Sequence, residues 1–232
     1  DLLLYRIKDN EYLLCVNAGN IEKDFSWIIH HSKEFSQIQV SDESSDWSQI
    51  AVQGPLSSKV LSNYDLSGLS YGKIKSVEIH KSSAFVAQTG YTGEQGYEVY
   101  LSNEVAPKLW QELLQKSQVK PIGLGARDTL RLEVCYPLYG QDLDEKRTPF
   151  EVGLSWATKV SKQENFMGKQ SLSERSPSRQ LRAFQMQERA IARSGMKIYQ
   201  NNIMLGTVTS GSFLPSLDCF GGLADLALEG LD

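Results

Sequence analysis

The sequence predicts an α+β fold, in which two compact sheet-plus-helix units precede a segment of short strands. Strand-like and helix-like patterns alternate about twice between residues 2 and 114. The connections are too short for a large doubly wound sheet, which favours two compact units. A polar segment at 173–182 that contains Pro177 is typical of a linker, and short apolar runs after it favour a separate all-β domain. These runs lie at 181–187, 196–199 and 204–209.

The first predicted elements are a hairpin and a helix. Apolar runs at 3–7 and 12–16 flank four polar residues, which is the pattern of two strands joined by a tight turn. Asn20 is then expected to cap a helix, because four apolar residues recur at helical spacing between residues 21 and 29. Further elements follow before residue 63. They are strands at 37–40 and 48–53 and a short helix that begins at Gly54 and Pro55.

A second hairpin is predicted at 76–80 and 84–89, followed by a glycine-rich loop at 90–96. Three glycines in this loop permit a tight backbone turn close to a ligand. The loop leads into a strand at 97–101, where alternation places Glu98 on the face opposite the apolar residues. The pattern alone favours a solvent-facing glutamate on an edge strand.

Two more helices are predicted after this strand. Asn103 is expected to cap the first, whose apolar residues recur from Val105 to Leu114. The second covers residues 123–136 and ends before Pro137, since proline cannot continue a helix.

The composition is that of an ordinary globular protein, with 41% hydrophobic and 22% charged residues among 232. A net charge of −4 argues against a nucleic-acid partner, and no apolar stretch is long enough for a membrane span. The three cysteines lie far apart, and the three histidines lack metal-ligand spacing. We therefore expect neither a disulfide framework nor a metal site.

The sequence has two acid-rich constellations, at 90–98 and 125–145, and no familiar nucleophile, phosphate-loop or dinucleotide motif. Arg127 and Arg131 in the second would lie one turn apart on a helix, and arginine is suited to bidentate recognition of carboxylates. A surface helix with compensating charges explains the same pattern, and neither constellation identifies a substrate.

Seven sequence blocks occur in order along the chain. They are VNAGNIEKDFSWI at 16–28, AVQGP at 51–55, GYTGEQGYE at 90–98, GLGARDTLRLE at 123–133, LYGQDLDE at 138–145, TPFEVGLSW at 148–156 and TSG at 209–211. Together they resemble the signature blocks of the aminomethyltransferase family, the T-proteins of the glycine cleavage system. The resemblance covers essentially the whole chain, which would correspond to the middle two-thirds of a family member.

The resemblance implies the folate-binding aminomethyltransferase fold. This fold has two related sheet-plus-helix units around a central pocket, followed by a C-terminal β-barrel domain. We therefore expect a folate-binding region at 1–172, incomplete at its N-terminus, and the start of a truncated barrel domain at 181–232. A protein limited to these residues is expected to be inactive.

The resemblance also implies the reaction. The methylene of an aminomethyl group on lipoylated H-protein passes to tetrahydrofolate, the co-substrate, which releases ammonia and forms 5,10-methylenetetrahydrofolate. The implied partners are H-protein and folate, with no nucleic acid, membrane or metal. The expected location is the bacterial cytoplasm, or the mitochondrial matrix in a eukaryote.

The resemblance also implies site residues, because individual positions of this sequence match functional positions of the family. Asp1 matches the family's essential acid beside the pterin and is the expected catalytic residue. Glu98 and Arg127 match folate-contacting residues of the family. The Glu98 carboxylate can accept paired N–H donors, and the Arg127 guanidinium can bind a carboxylate. The same match implies three further folate-binding residues: Tyr91, Tyr136 and Asn17.

Alternatives remain open at this level. The folate domain of a dimethylglycine or sarcosine dehydrogenase shares the fold, and an inactive paralogue would keep it for binding alone. A folate-binding iron–sulfur assembly factor is centred on a reactive cysteine, and residues 133–141 match its motif only in part. Cys135 is more simply interpreted as a small buried hydrophobe on a helix.

Overall fold

The computed structural model describes residues 1–229. The chain forms two compact units, Asp1–Ile122 and Gly123–Asp232. The predicted helix at 123–136 therefore belongs to the same unit as the C-terminal strands. The functional boundaries at 172 and 181 stay a prediction, and the last three residues of the predicted barrel segment lie outside the described residues.

The first unit has two antiparallel sheets and three α-helices in its described residues. The elements are β1 (Leu2–Lys8), β2 (Glu11–Val16), α1 (Ile21–Ser32), β3 (Trp47–Gln53), α2 (Ser57–Val60), β4 (Ile74–Ile79), β5 (Ser82–Ala87), β6 (Gly96–Ser102) and α3 (Ala106–Leu114). Strands β1 and β2 pair as the predicted hairpin. The other four strands form one sheet in the order β3-β6-β5-β4.

Strand β6 lies inside this sheet, between β3 and β5. Its residues Val99 and Leu101 are fully buried in the core of the unit, with Leu109 of α3 in the same cluster. Its other face carries Glu98 and Tyr100, so the predicted alternation is confirmed. The interpretation of Glu98 as a solvent-facing residue on an edge strand is wrong, because strands pair with β6 on both sides.

Two local predictions for this unit are wrong. Residues 37–40 form no strand. Asn103 does not cap α3, whose N-cap position is occupied by Val105. The Asn103 side chain instead donates to the Ser45 carbonyl at 2.6 Å and accepts from the Ser48 hydroxyl at 2.7 Å, which fixes the approach to β3. Asn20 does precede α1, but without a side-chain capping bond.

The second unit contains two α-helices and a four-stranded antiparallel sheet in the described residues. The elements are α4 (Leu124–Glu133), α5 (Lys169–Glu174), β7 (Arg179–Gln185), β8 (Lys197–Gln200), β9 (Ile203–Leu214) and β10 (Cys219–Ala227). The strand order is β7-β10-β9-β8. The β-barrel predicted here stays a prediction. The linker predicted at 173–182 shortens to residues 175–178, because α5 and β7 occupy its ends.

Strand β10 has no counterpart in the sequence prediction. It contains Gly221 and Gly222, and glycine is atypical of strand interiors. The structure gives a reason for Gly222, since a Cβ there would lie 2.0 Å from the Ser210 carbonyl oxygen of the neighbouring strand. Close backbone approach requires this glycine.

The prediction that Cys135 is a buried residue on a helix is wrong. Cys135 lies beyond the last residue of α4 and is exposed, so it is neither helical nor buried. Its φ of 60° turns the chain back, and the Tyr136 N–H then donates to the Arg131 carbonyl at 2.9 Å.

The longest described helix is α1, with twelve residues. No helix in the described part of the chain has the length and apolar character needed to cross a bilayer.

Candidate functional site

Glu98 is a buried carboxylate at the centre of the first unit's main sheet, with 6% of its surface exposed. Each of its two oxygens accepts one hydrogen bond. Gln49 Nε2 donates to Oε1 at 2.8 Å, and Thr89 Oγ1 donates to Oε2 at 2.6 Å. Gln49 lies on β3, and Thr89 lies two residues after the end of β5, so the two donors come from opposite sides of β6.

Two tyrosines extend this network. The Tyr5 hydroxyl lies 3.2 Å from Thr89 Oγ1 and 3.4 Å from the Tyr100 hydroxyl, which also accepts from Gln49 Nε2 at 3.3 Å. Burial raises the pKa of Tyr5, and burial together with the nearby Glu98 carboxylate raises that of Tyr100. Both phenols therefore keep their protons at neutral pH and serve as hydrogen-bond donors.

Small neighbours flank Glu98 across the sheet. Its pairing partners are Ala51 on β3 and Ala87 on β5. Ala51 is exposed, so the sheet surface beside the carboxylate carries only a methyl group on that side. A carboxylate has about four lone-pair positions, and two of those on Glu98 are taken. Two acceptor positions remain beyond the hydrogen bonds that Gln49 and Thr89 donate.

The glycine-rich loop before Glu98 is held by Gln53, the last residue of β3. Gln53 Nε2 donates to the Thr89 and Tyr97 carbonyls at 3.2 and 3.1 Å, at either end of the loop. A Cβ on Gly90 or Gly96 would lie 1.8 or 2.0 Å from Gln53 Oε1. A methyl group at either outer glycine would therefore displace the Gln53 side chain, which holds the loop that carries Tyr91.

Asp1 and Asn17, two predicted site residues, are in direct contact. Asn17 Nδ2 donates to Asp1 Oδ1 at 2.8 Å and to the Asp1 carbonyl at 3.0 Å. This contact follows from the β1–β2 hairpin, which pairs Leu2 with Val16. Asp1 immediately precedes β1, the strand that carries Tyr5, so the two residues lie roughly 13 Å apart, the length of four residues of extended chain.

The structure thus places Asp1, Asn17, Tyr91 and Glu98 in the first unit, with Asp1 bonded to Asn17 and Glu98 in a network of its own. Tyr91 is partly buried. The other two predicted residues belong to the second unit. Arg127 is exposed on α4, and the partly buried Tyr136 follows the end of that helix.

Arg131, one turn after Arg127, is buried rather than part of a surface helix, with 1% exposed. Its Nη1 donates to Asp142 Oδ2 at 2.6 Å and to the Tyr136 carbonyl at 3.0 Å. Its Nε donates to Asp128 Oδ1 at 2.8 Å. Although burial acts to lower the pKa of Arg131, the two carboxylates raise it above its usual value, so the guanidinium stays charged.

Asp142 is completely buried opposite Arg131. It accepts from the Leu138 N–H at 2.9 Å and from the Thr209 hydroxyl, while the Ser210 hydroxyl lies 2.8 and 2.9 Å from its two oxygens. Three of the sequence blocks, at 123–133, 138–145 and 209–211, therefore converge on one ion pair. This ion pair gives a structural reason for the three blocks to occur together in the second unit.

Sequence reasoning missed Thr89 and Gln49 at Glu98, and Asp142 at Arg131. No local signal marks them, because each acts through strand pairing or a contact far along the chain. A cluster of three or more histidine, cysteine or acidic side chains that could hold a metal ion is not found within residues 1–229.

Comparisons with known proteins give the family. The family model for the GCVT N-terminal domain matches residues 1–162. The chain belongs to the glycine-cleavage aminomethyltransferase family. It is 44% identical over 237 residues to an aminomethyltransferase of Pseudothermotoga lettingae, with 99% of this chain and 65% of that protein covered. A relative from Thermotoga maritima is 43% identical over 225 residues, with coverages of 94% and 61%.

A solved structure supports the same family. The crystal structure of glycine cleavage system aminomethyltransferase T from Bartonella henselae aligns with a TM-score of 0.86 and 32% identity, over 98% of this chain and 64% of that one. The chain therefore spans slightly less than two thirds of the length of these relatives. The predicted family is confirmed, and the matches favour none of the alternative families.

Proposed function

We propose that this protein transfers the methylene of an aminomethyl group from lipoylated H-protein to tetrahydrofolate, with release of ammonia and formation of 5,10-methylenetetrahydrofolate. The observation that carries the proposal is Glu98, a buried carboxylate in the family's 90–98 block that keeps one acceptor position on each oxygen. The relatives named aminomethyltransferase and the Bartonella protein support the same reaction.

Glu98 is the proposed anchor of the pterin ring. The pterin edge presents neighbouring N–H donors, and a carboxylate accepts a pair of them in parallel. Gln49 on β3 and Thr89, just after β5, hold Glu98 in place from either side of β6. Such preorganisation lowers the entropy that is lost when the ligand binds.

Asp1 is the proposed catalytic residue. Its carboxylate would orient a folate nitrogen and favour the positive charge that develops on the transferred carbon as ammonia leaves. Asn17 supports this role, because its amide donates to Asp1 Oδ1 and so fixes the direction of the carboxylate. Asn17 is thus proposed to act through Asp1.

Arg127 and Tyr136 are further proposed folate contacts. Arg127 is suited to a carboxylate of the folate tail, since its guanidinium presents paired donors. Tyr136, like Tyr91 of the first unit, has a ring that can stack on a flat ligand or donate a hydrogen bond. In keeping with the family, we also propose a C-terminal barrel built on the strands from β7 onward, and a cytoplasmic or mitochondrial-matrix location.

The test is a transfer assay of the full-length protein, with aminomethylated, lipoylated H-protein as donor and tetrahydrofolate as acceptor. We expect ammonia and 5,10-methylenetetrahydrofolate in equal amounts, and loss of both products in Asp1→Asn. The variant Asp9→Asn is the matched control, because Asp9 is an exposed residue of the same hairpin. Turnover by Asp1→Asn at the wild-type rate would remove Asp1 from the mechanism.

A further inference from the structure

The two donors to Glu98 are arranged in a way that decides what else the carboxylate can bind. One donor engages each oxygen, so neither oxygen is saturated. If both donors were on one oxygen, the remaining positions would lie together on the other. The arrangement found here leaves one lone pair on each oxygen, which is the pattern needed for two parallel N–H···O bonds.

The direction of the Thr89 hydroxyl follows from its neighbours. A hydroxyl has one hydrogen. Thr89 Oγ1 lies 2.6 Å from a Glu98 oxygen and 3.2 Å from the Tyr5 hydroxyl. An ionised carboxylate can only accept, so Thr89 donates to Glu98 and Tyr5 donates to Thr89. Gln49 is oriented similarly, because its amide nitrogen serves both Glu98 and the Tyr100 hydroxyl.

We propose that Thr89 and Gln49 are positioning residues, which hold the Glu98 carboxylate so that one acceptor position on each oxygen faces a ligand with two parallel N–H donors. This inference rests on the proposed function, in which that ligand is the pterin of tetrahydrofolate. Neither residue needs to touch the ligand, and each acts through Glu98.

An isosteric pair of substitutions tests this. Thr89→Val keeps the shape of the side chain and removes the hydroxyl, whereas Thr89→Ser keeps the hydroxyl. In calorimetric titrations of tetrahydrofolate into the full protein, we expect Thr89→Val to weaken binding by about three- to tenfold, the usual range for one hydrogen bond, and Thr89→Ser to bind like the wild type. In a Glu98→Ala background, Thr89→Val should not change the affinity further, because Thr89 acts on the ligand only through Glu98.

Gln49→Met provides a second variant in case Thr89→Val does not fold. Gln49 is exposed, so a side chain of similar length without donors is tolerated there. We again expect weaker binding. Equal affinities for Thr89→Val and Thr89→Ser, or wild-type affinity for Gln49→Met, would overturn the inference and leave the proposed function standing. Absence of tetrahydrofolate binding by the wild type would overturn both.

Discussion

The buried pair of Arg131 and Asp142 should dominate the stability of the second unit. We expect Asp142→Ala to lower the free energy of unfolding by about 3–5 kcal/mol, the range for a buried ion pair that loses one partner. Four groups lose one acceptor each. They are the Arg131 guanidinium, the Leu138 N–H and the hydroxyls of Thr209 and Ser210.

Several interactions limit the loss. The Thr209 hydroxyl keeps the Leu223 carbonyl and the Ser210 hydroxyl keeps Gln141 Oε1 as acceptors, each at 3.1 Å. Arg131 keeps Asp128 as a partner, at 2.8 Å from its Nε, so the guanidinium is not left entirely uncompensated. A change of about 3–5 kcal/mol lowers the melting temperature of a protein of this size by about 6–20 °C. Differential scanning calorimetry measures both quantities, provided that unfolding is reversible.

The matched control is Glu164→Ala. The Glu164 side chain is 71% exposed and lies 3.7 Å from Lys162, so its removal should cost less than about 1 kcal/mol. A double variant, Arg131→Met with Asp142→Asn, should lose less than the sum of the two single changes, since the partners no longer leave each other unpaired. If Asp142→Ala is as stable as Glu164→Ala, the ion pair does not hold this unit together.

Two further predictions concern stability. Gly96→Ala should cost about 1–3 kcal/mol, because the new methyl group would displace the Gln53 amide, whereas Gly19→Ala, where nothing lies within 4 Å, should change little in the same urea titration. Burial raises the pKa of Glu151, but the Thr148 N–H and hydroxyl and the nearby Arg175 together bring it below its usual value. Glu151 therefore stabilises the protein above its unfolded pKa of about 4.3, and this contribution disappears as the pH falls through the lower folded pKa. The melting temperatures of wild type and Glu151→Gln should converge below about pH 4, and a difference that is independent of pH would contradict this assignment.

Local sequence signals were sufficient for much of the first unit. The β1–β2 hairpin follows from two apolar runs and a polar turn, and the alternation in β6 correctly separates Val99 from Glu98. The same signals could not show that Glu98 is buried. Burial depends on β3 and β5 pairing on either side of β6, and strand order is not encoded in the strand itself.

The second unit shows a different limit. Arg131 and Asp142 resemble surface charges in the sequence, because the residues that satisfy Asp142 lie up to 68 positions away on β9. Strand β10 was missed because its consecutive glycines reflect close contact with a neighbouring strand rather than local preference. Recognition of the sequence blocks identified the family without revealing this ion pair.

The most direct test of folate binding at Glu98 is a calorimetric titration of tetrahydrofolate into the full-length wild type and Glu98→Ala. We expect a saturable heat for the wild type and an affinity about 10- to 150-fold lower for Glu98→Ala, the equivalent of 1.5–3 kcal/mol for hydrogen bonds to a charged group. Glu94→Ala, on the exposed part of the same loop, serves as the control and should bind normally. A wild-type protein that gives no heat, or a Glu98→Ala variant with unchanged affinity, would contradict the proposed site.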